Sequence, residues 1–213
     1  MKKYLNKNVY CGFAFLLSFV VWTVLLNFIN VAAIGPNGST VGFSSVNGWF
    51  HKLTGVNMTL YNITDWLGLV PIAVAFGFAI LGLVQWIKQK NILKVDYSIL
   101  ALGVYYIIVI AVYLYFESVV INYRPVLING YLEVSYPSST TLLVTCVIPT
   151  AIIQFNTRIK NTALRRFVAI LLAVFVAFMV IGRLISGVHW LSDIIGGALL
   201  SIGLVLIYKG VSL

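Results

Sequence analysis

Six long apolar runs, roughly 9–33, 67–87, 98–116, 139–156, 167–186 and 190–208, constrain this chain more than any other feature. About 20 helical residues cross a hydrocarbon core about 30 Å thick, so runs of this length read as membrane-spanning helices. In lipid every backbone N–H and C=O must be satisfied internally, which selects helices over open sheets. With 61% hydrophobic and 9% charged residues in a chain of 213, little is left to coat a separate soluble domain. The expected fold is an all-α integral membrane protein, with residues 1–213 forming one six-helix domain.

The first run follows Met1–Lys2–Lys3 as a signal peptide would, and Val31–Ala32–Ala33 faintly resembles a cleavage site. Its apolar core is too long for a typical cleaved segment, so a retained first helix is expected. Cys11 and Cys146 both fall within predicted spans and read as small packing residues rather than a disulfide.

The formal net charge of +9 is a topology signal. Lys2, Lys3 and Lys7 precede the first run, and Lys88, Lys90 and Lys94 lie between the second and third. Arg158, Lys160, Arg165 and Arg166 separate the fourth and fifth, and Lys209 ends the sixth. Six spans bring all four clusters to one side, which the positive-inside rule makes cytoplasmic. Both termini are then cytoplasmic, a multi-pass protein of a bacterial plasma membrane fits, and nucleic-acid binding is not expected. The basic 156–166 loop can meet anionic headgroups, although orientation alone explains it.

Three connections fall on the opposite, extracytoplasmic side: about 34–66, 117–138 and 187–189. The first carries Trp49, Phe50, Leu53 and Trp66 and suits either a short interfacial helix or a plain loop. Asn37, Asn57 and Asn62 each begin an Asn-x-Ser/Thr triplet there, a pattern too short to establish glycosylation. His51, with no polar pattern around it, reads as a loop residue.

Apart from Asp96, the acidic residues, with Lys52, the arginines outside the basic clusters and both histidines, gather at this second face: His51, Lys52, Asp65, Glu117, Arg124, Glu133, Arg183, His189 and Asp193. Charge in apolar surroundings normally pairs, faces a cavity or does chemistry. Arg183, His189 and Asp193 stand at i, i+6 and i+10; Arg can fork onto a phosphate, and His can attack or shuttle protons. Tyr136–Pro137–Ser138–Ser139–Thr140 reads as a helix start with hydroxyl caps, and such a terminus attracts anions. Taken singly, His189–Asp193 is explained as a buried pair and Arg183 as a snorkelling side chain. Arg124–Pro125 and Pro137–Ser138–Ser139 at matching places weigh toward phosphate binding.

These segments resemble the type 2 phosphatidic acid phosphatase (PAP2) superfamily, whose signatures are Lys-x6-Arg-Pro, Pro-Ser-Gly-His and Ser-Arg-x5-His-x3-Asp. The third is nearly complete as Gly182–Arg183, His189 and Asp193. The first keeps Arg124–Pro125 but has Glu117 at the lysine position. The second keeps Pro137–Ser138 but has Ser139 and Thr140 where the family has Gly-His. The resemblance implies a six-helix membrane phosphatase with its site at the extracytoplasmic helix ends, no metal or other cofactor, and a lipid phosphate as substrate. It further implies that His189 attacks phosphorus to form a phosphohistidine. Asp193 would fix the tautomer of His189, and Arg124, Arg183, Ser138, Ser139 and Thr140 would hold the phosphoryl group.

Both departures bear on chemistry. A threonine hydroxyl is too weak an acid to protonate a leaving oxygen, and losing a general acid costs about 10²–10⁴ in rate. A diphosphate expels a stable monophosphate anion and tolerates that loss, so a polyprenyl diphosphate such as undecaprenyl diphosphate is the expected substrate. Glu117 would repel phosphate unless it pairs with Arg124, orients it, or serves as the missing acid; Glu133 is a looser candidate for that acid. Two further readings stay open: a phosphate-lipid binding or transport protein that keeps the cradle without efficient catalysis, and a purely structural membrane subunit. The residues do not encode oligomeric state.

Overall fold

In a computed structural model, residues 2–212 are described, with side chains from Lys7 to Ser212. The side chains of Lys2 and Lys3, in the first basic cluster, lie outside the described residues. Eight helices follow one another: α1 (Lys2–Leu26), α2 (Ser44–Thr54), α3 (Met58–Leu67), α4 (Leu69–Gln89), α5 (Tyr97–Ser118), α6 (Ser139–Arg158), α7 (Thr162–Ile185) and α8 (Leu191–Ser212). Six spans are long and apolar enough to cross a membrane, with α3 and α4 counting as one across Gly68. Asn57, Asp96, Ser138 and Asn161 cap α3, α5, α6 and α7, each side chain accepting from a first-turn N–H. These are the short polar residues expected there, because they satisfy otherwise orphaned donors.

α6 and α8 form the middle of the bundle and are the most enclosed spans. The other four turn wide apolar faces outward, as lipid-facing helices do. α1 is seated along α8 through glycines. A Cβ on Gly12 would lie 2.8 Å from the Gly203 carbonyl oxygen, and one on Gly203 would lie 2.7 Å from Leu16 Cδ2. Small residues let backbones approach closely where lipid supplies no hydrophobic drive for association. Near the other end of the seam, Trp22 Nε1 donates to Ser192 O at 3.2 Å, and Thr23 Oγ1 lies 2.6 Å from the Tyr136 hydroxyl. The first helix is thus a structural part of the bundle, and Cys11 and Cys146 are both free.

The two kinds of charge separate along the bundle. At the lysine-rich end Arg158 pairs with Asp96 at 2.6 Å, and Gln154 Nε2 and the Tyr208 hydroxyl each donate to Ser98 O at 3.3 Å. That knot joins α5, α6 and α8. The opposite end carries the candidate site, above which α2 and α3 lie. The 34–66 connection therefore holds two helices, and His51 sits in α2 rather than in a loop, 5.5 Å ring to ring from Trp190. α8 begins at Leu191, two residues past His189.

Between α5 and α6 the chain makes a small hairpin, with antiparallel bridges Tyr123–Val134 and Ile128–Tyr131. Asn129 and Gly130 turn it with φ of 50° and 83°. Two consecutive positive φ values are the mark of the tight turn that matches strand twist.

The α1–α8 seam yields a prediction. Gly12→Ala should lower stability by about 1–3 kcal/mol through overpacking, seen as a lower thermal unfolding midpoint in detergent. Gly77→Ala, where a Cβ meets nothing within 4 Å, should leave the midpoint unchanged. Equal midpoints for the two variants would contradict the close approach of α1.

Candidate active site

The loop between α7 and α8 is shaped by one glycine. Gly187 has φ of 70°, and a Cβ there would lie 1.8 Å from the Gly55 carbonyl oxygen. Only glycine combines that left-handed backbone with so close a contact. Asn57 N donates to Ser186 O at 2.9 Å, so the α2–α3 junction and the loop hold each other. His189 follows, buried at the base of the loop.

Asp193, in the first turn of α8, reaches back: its Oδ2 accepts from Trp190 N at 3.0 Å. This is one half of a capping box, in which an acidic side chain satisfies the donor at the helix entrance. Its Oδ1 accepts from Asn122 Nδ2 at 3.0 Å, and its carbonyl accepts from Ser138 N at 3.2 Å. The sequence gives Asp193 the task of holding the His189 tautomer, but Oδ2 stands 3.7 Å from His189 Nδ1, beyond hydrogen-bond reach. It attracts the imidazole by charge while its hydrogen bonds go to Trp190 and Asn122.

The tautomer is fixed from the other side. Arg124 Nη1 lies 3.1 Å from His189 Nε2. Guanidinium carries donors and no acceptor, so Nε2 must accept and the ring proton resides on Nδ1, toward Asp193. The arginine is itself held by the hairpin. Its backbone N donates to Glu133 O at 2.9 Å, and its Nε lies 3.0 Å from Glu133 Oε2. Glu133, across the hairpin, thus occupies the orienting position that the sequence offers to Glu117.

Arg183 approaches from α7, its side chain 1% exposed. Its Nη2 donates to Asp65 Oδ1 at 3.1 Å, and its Nη1 to Tyr61 O and Thr64 Oγ1, each at 3.3 Å. Tyr61 adjoins both arginines, with the Arg183 guanidinium 4.6 Å and the Arg124 guanidinium 5.8 Å from its ring centroid. Each arginine therefore has a carboxylate partner, and the two share one aromatic ring as neighbour.

The remaining sequence candidates divide. Ser138 caps α6 and is buried, and Ser139 and Glu117 line one narrow cleft with His189, Ser135 and Pro137. Thr140 is buried at the start of α6 but does not line that cleft; its methyl faces the α3–α4 junction, 3.6 Å from where a Gly68 Cβ would stand. Tyr61, Asn122 and the pair Asn47–Ser192 escape a sequence reading. Asn47 exchanges two hydrogen bonds with Ser192, at 2.9 and 3.1 Å, across 145 positions of chain. Among the described residues, no three His, Cys, Asp or Glu side chains come together as metal ligands.

Burial pushes the His189 pKa well below 6.5, and the positive charges of Arg124 and Arg183 push it the same way. The imidazole is neutral at pH 7, with its Nε2 lone pair facing a guanidinium. A neutral nitrogen nucleophile beside two buried cations suits attack on an anionic phosphoryl group.

Residues 99–212 match the family model described as PAP2 superfamily. A similar solved structure is that of a transmembrane PAP2-type phosphatidylglycerolphosphate phosphatase from Bacillus subtilis. The two are 19% identical, with 94% of each chain covered and a TM-score of 0.52, a likeness of fold. No curated protein matches the chain in sequence.

The lowered His189 pKa has a thermodynamic signature. Below pH 6.5 the unfolded chain takes up a proton at this residue that the folded protein does not, so stability falls as pH drops toward the folded-state pKa. Between about pH 6.5 and 5, the unfolding midpoint of wild type in detergent should fall more steeply than that of His189→Gln. Parallel pH dependences would show that His189 is not held neutral by the fold.

Proposed function

The chain belongs to the PAP2 superfamily of membrane lipid phosphatases, and from that membership we propose that it hydrolyses a polyprenyl diphosphate, such as undecaprenyl diphosphate, through a phosphohistidine on His189. One observation carries the reading: Arg124 donates to His189 Nε2 at 3.1 Å, which leaves the lone pair on the nitrogen that lies nearest the buried cation.

In this reading the terminal phosphate enters beside Arg124, and one of its oxygens takes over the guanidinium that Nε2 held. His189 Nε2 attacks phosphorus, and the bond to the bridging oxygen breaks. Lipid monophosphate departs as an anion and needs no proton at that moment. Arg124 and Arg183 stabilise the negative charge on the transferring group, and the Tyr61 ring lies against both guanidinium groups. Positive charge that develops on the imidazole lies 3.7 Å from Asp193. Water then hydrolyses the phosphohistidine and releases orthophosphate.

The absence of a histidine at Thr140, and the distance of Thr140 from the cleft, support a substrate whose leaving group needs no acid. The distribution of lysines and arginines supports a cytoplasmic orientation for the basic end and an extracytoplasmic one for the site. A plasma-membrane enzyme that regenerates a lipid carrier at the outer leaflet fits both. A second reading, phosphate-lipid binding or transport on the same fold, draws on the carboxylates already paired with both arginines.

Phosphate release from undecaprenyl diphosphate by detergent-purified protein tests these readings. Wild type should be active and His189→Ala inactive, and Arg124→Ala should lose about 10²–10³ in kcat. Phosphatidate should be hydrolysed more slowly than the diphosphate, and the reverse order would overturn the substrate assignment. A folded wild type that binds lipid phosphates but releases none would favour the transport reading.

A further inference from the structure

The carboxylates at the site end have a charged or backbone partner in all but one case, Glu117, whose polar neighbour is Tyr113 one turn earlier in α5. Asp65 holds Arg183, Glu133 holds Arg124, and Asp193 accepts from Trp190 N and Asn122. Asp96 is paired with Arg158 at the far end. Glu117 is the acidic side chain that forms no ion pair among the described residues, and it lines the same cleft as His189. The cavity there is about 10 Å³, on the scale of a single water molecule. Ser135 and Ser139 add hydroxyls to a wall otherwise built of aromatic and aliphatic side chains such as Phe116, Tyr136 and Leu142, so the small space is mixed, with its polar groups few and close to His189.

Resting on the phosphohistidine reading above, we propose that Glu117 is the general base of the second half-reaction: it activates the water that hydrolyses phosphorylated His189. In-line attack needs the water on the face of the phosphoryl group away from Nε2, and the Glu117 carboxylate lines the cleft from which that water is drawn. Its oxygen forms a bond to phosphorus as the phosphorus–Nε2 bond breaks. The proton it loses passes to the Glu117 carboxylate and then to solvent. His189 recovers its lone pair and orthophosphate leaves, so no oxidant or further reactant is required. A threonine hydroxyl has no comparable affinity for a proton, and Thr140 lies outside the cleft.

This places acid–base help in one half-reaction only. Phosphoenzyme formation has no acid and relies on a leaving group that departs as an anion; phosphoenzyme breakdown has a base. A carboxylate in place of a lysine weakens phosphate attraction at the cleft, but it serves a neutral water without difficulty.

Rapid mixing with undecaprenyl diphosphate labelled in its terminal phosphate separates the halves. Glu117→Gln should release a stoichiometric burst of lipid monophosphate at the wild-type rate and accumulate acid-labile, base-stable label on the protein. Its steady-state turnover should fall about 10²-fold or more, and Glu117→Asp should recover part of that loss. Wild-type turnover in Glu117→Gln, or loss of the burst in both variants with unchanged unfolding midpoints, would overturn the role. Label on neither wild type nor variant, with no phosphate released by wild type, would instead overturn the enzymatic reading on which it rests.

Discussion

Two guanidinium groups buried at one end of an apolar bundle dictate what surrounds them. An isolated charge removed from water is costly by several kcal/mol even after relaxation, and the cost is offset only where partners are close and well directed. The hairpin between α5 and α6 brings Glu133 to Arg124, and α3 brings Asp65 to Arg183. Tyr61 offers its ring to both cations. Even the tautomer of His189 follows, because a guanidinium can only donate. The chemistry of the site is in this sense a by-product of keeping two cations folded into a membrane protein.

The pairings also shape how substrate is received. Neither arginine is an open, unshielded charge, so a phosphate must compete with carboxylates already in place. A group carrying more negative charge and more oxygens competes better than one carrying less, which again favours a diphosphate over a monoester. The departures at Glu117 and Thr140 point the same way from the side of leaving-group chemistry. Electrostatics and acid–base chemistry thus support the proposed diphosphate from separate residues.

Much of this was legible in the sequence because hydropathy and local spacing carry it. The six apolar runs correspond to the six spans, and Ser138 caps α6 where Pro137 and the hydroxyl run suggest. Arg124, His189 and Asp193 meet because short motifs sit at helix ends that the bundle brings together. Legibility ends where partners come from distant chain. Nothing local tells Asn47 that it will meet Ser192, or Asp65 that it will meet Arg183. The i, i+4 spacing of His189 and Asp193 invites a direct hydrogen bond, yet α8 starts at Leu191 and the carboxylate is drawn to the free N–H of Trp190. Asn129–Gly130 is a strong turn signal in the connection between α5 and α6, and it sets the register that places Glu133 opposite Arg124.

The stretch that matches the family starts at residue 99, whereas Asp65, Tyr61, Thr64 and Asn47 all precede it. His189 and the two arginines therefore belong to one part of the chain, and several of their partners to another. The two parts touch backbone to backbone at Gly55 and Gly187, with no side chain between them to absorb a shift. Change in α2 and α3 can then shift the partners of Arg183 without altering the segment that carries His189. On the proposed function, reactivity and selectivity become separately inheritable traits of a single small protein.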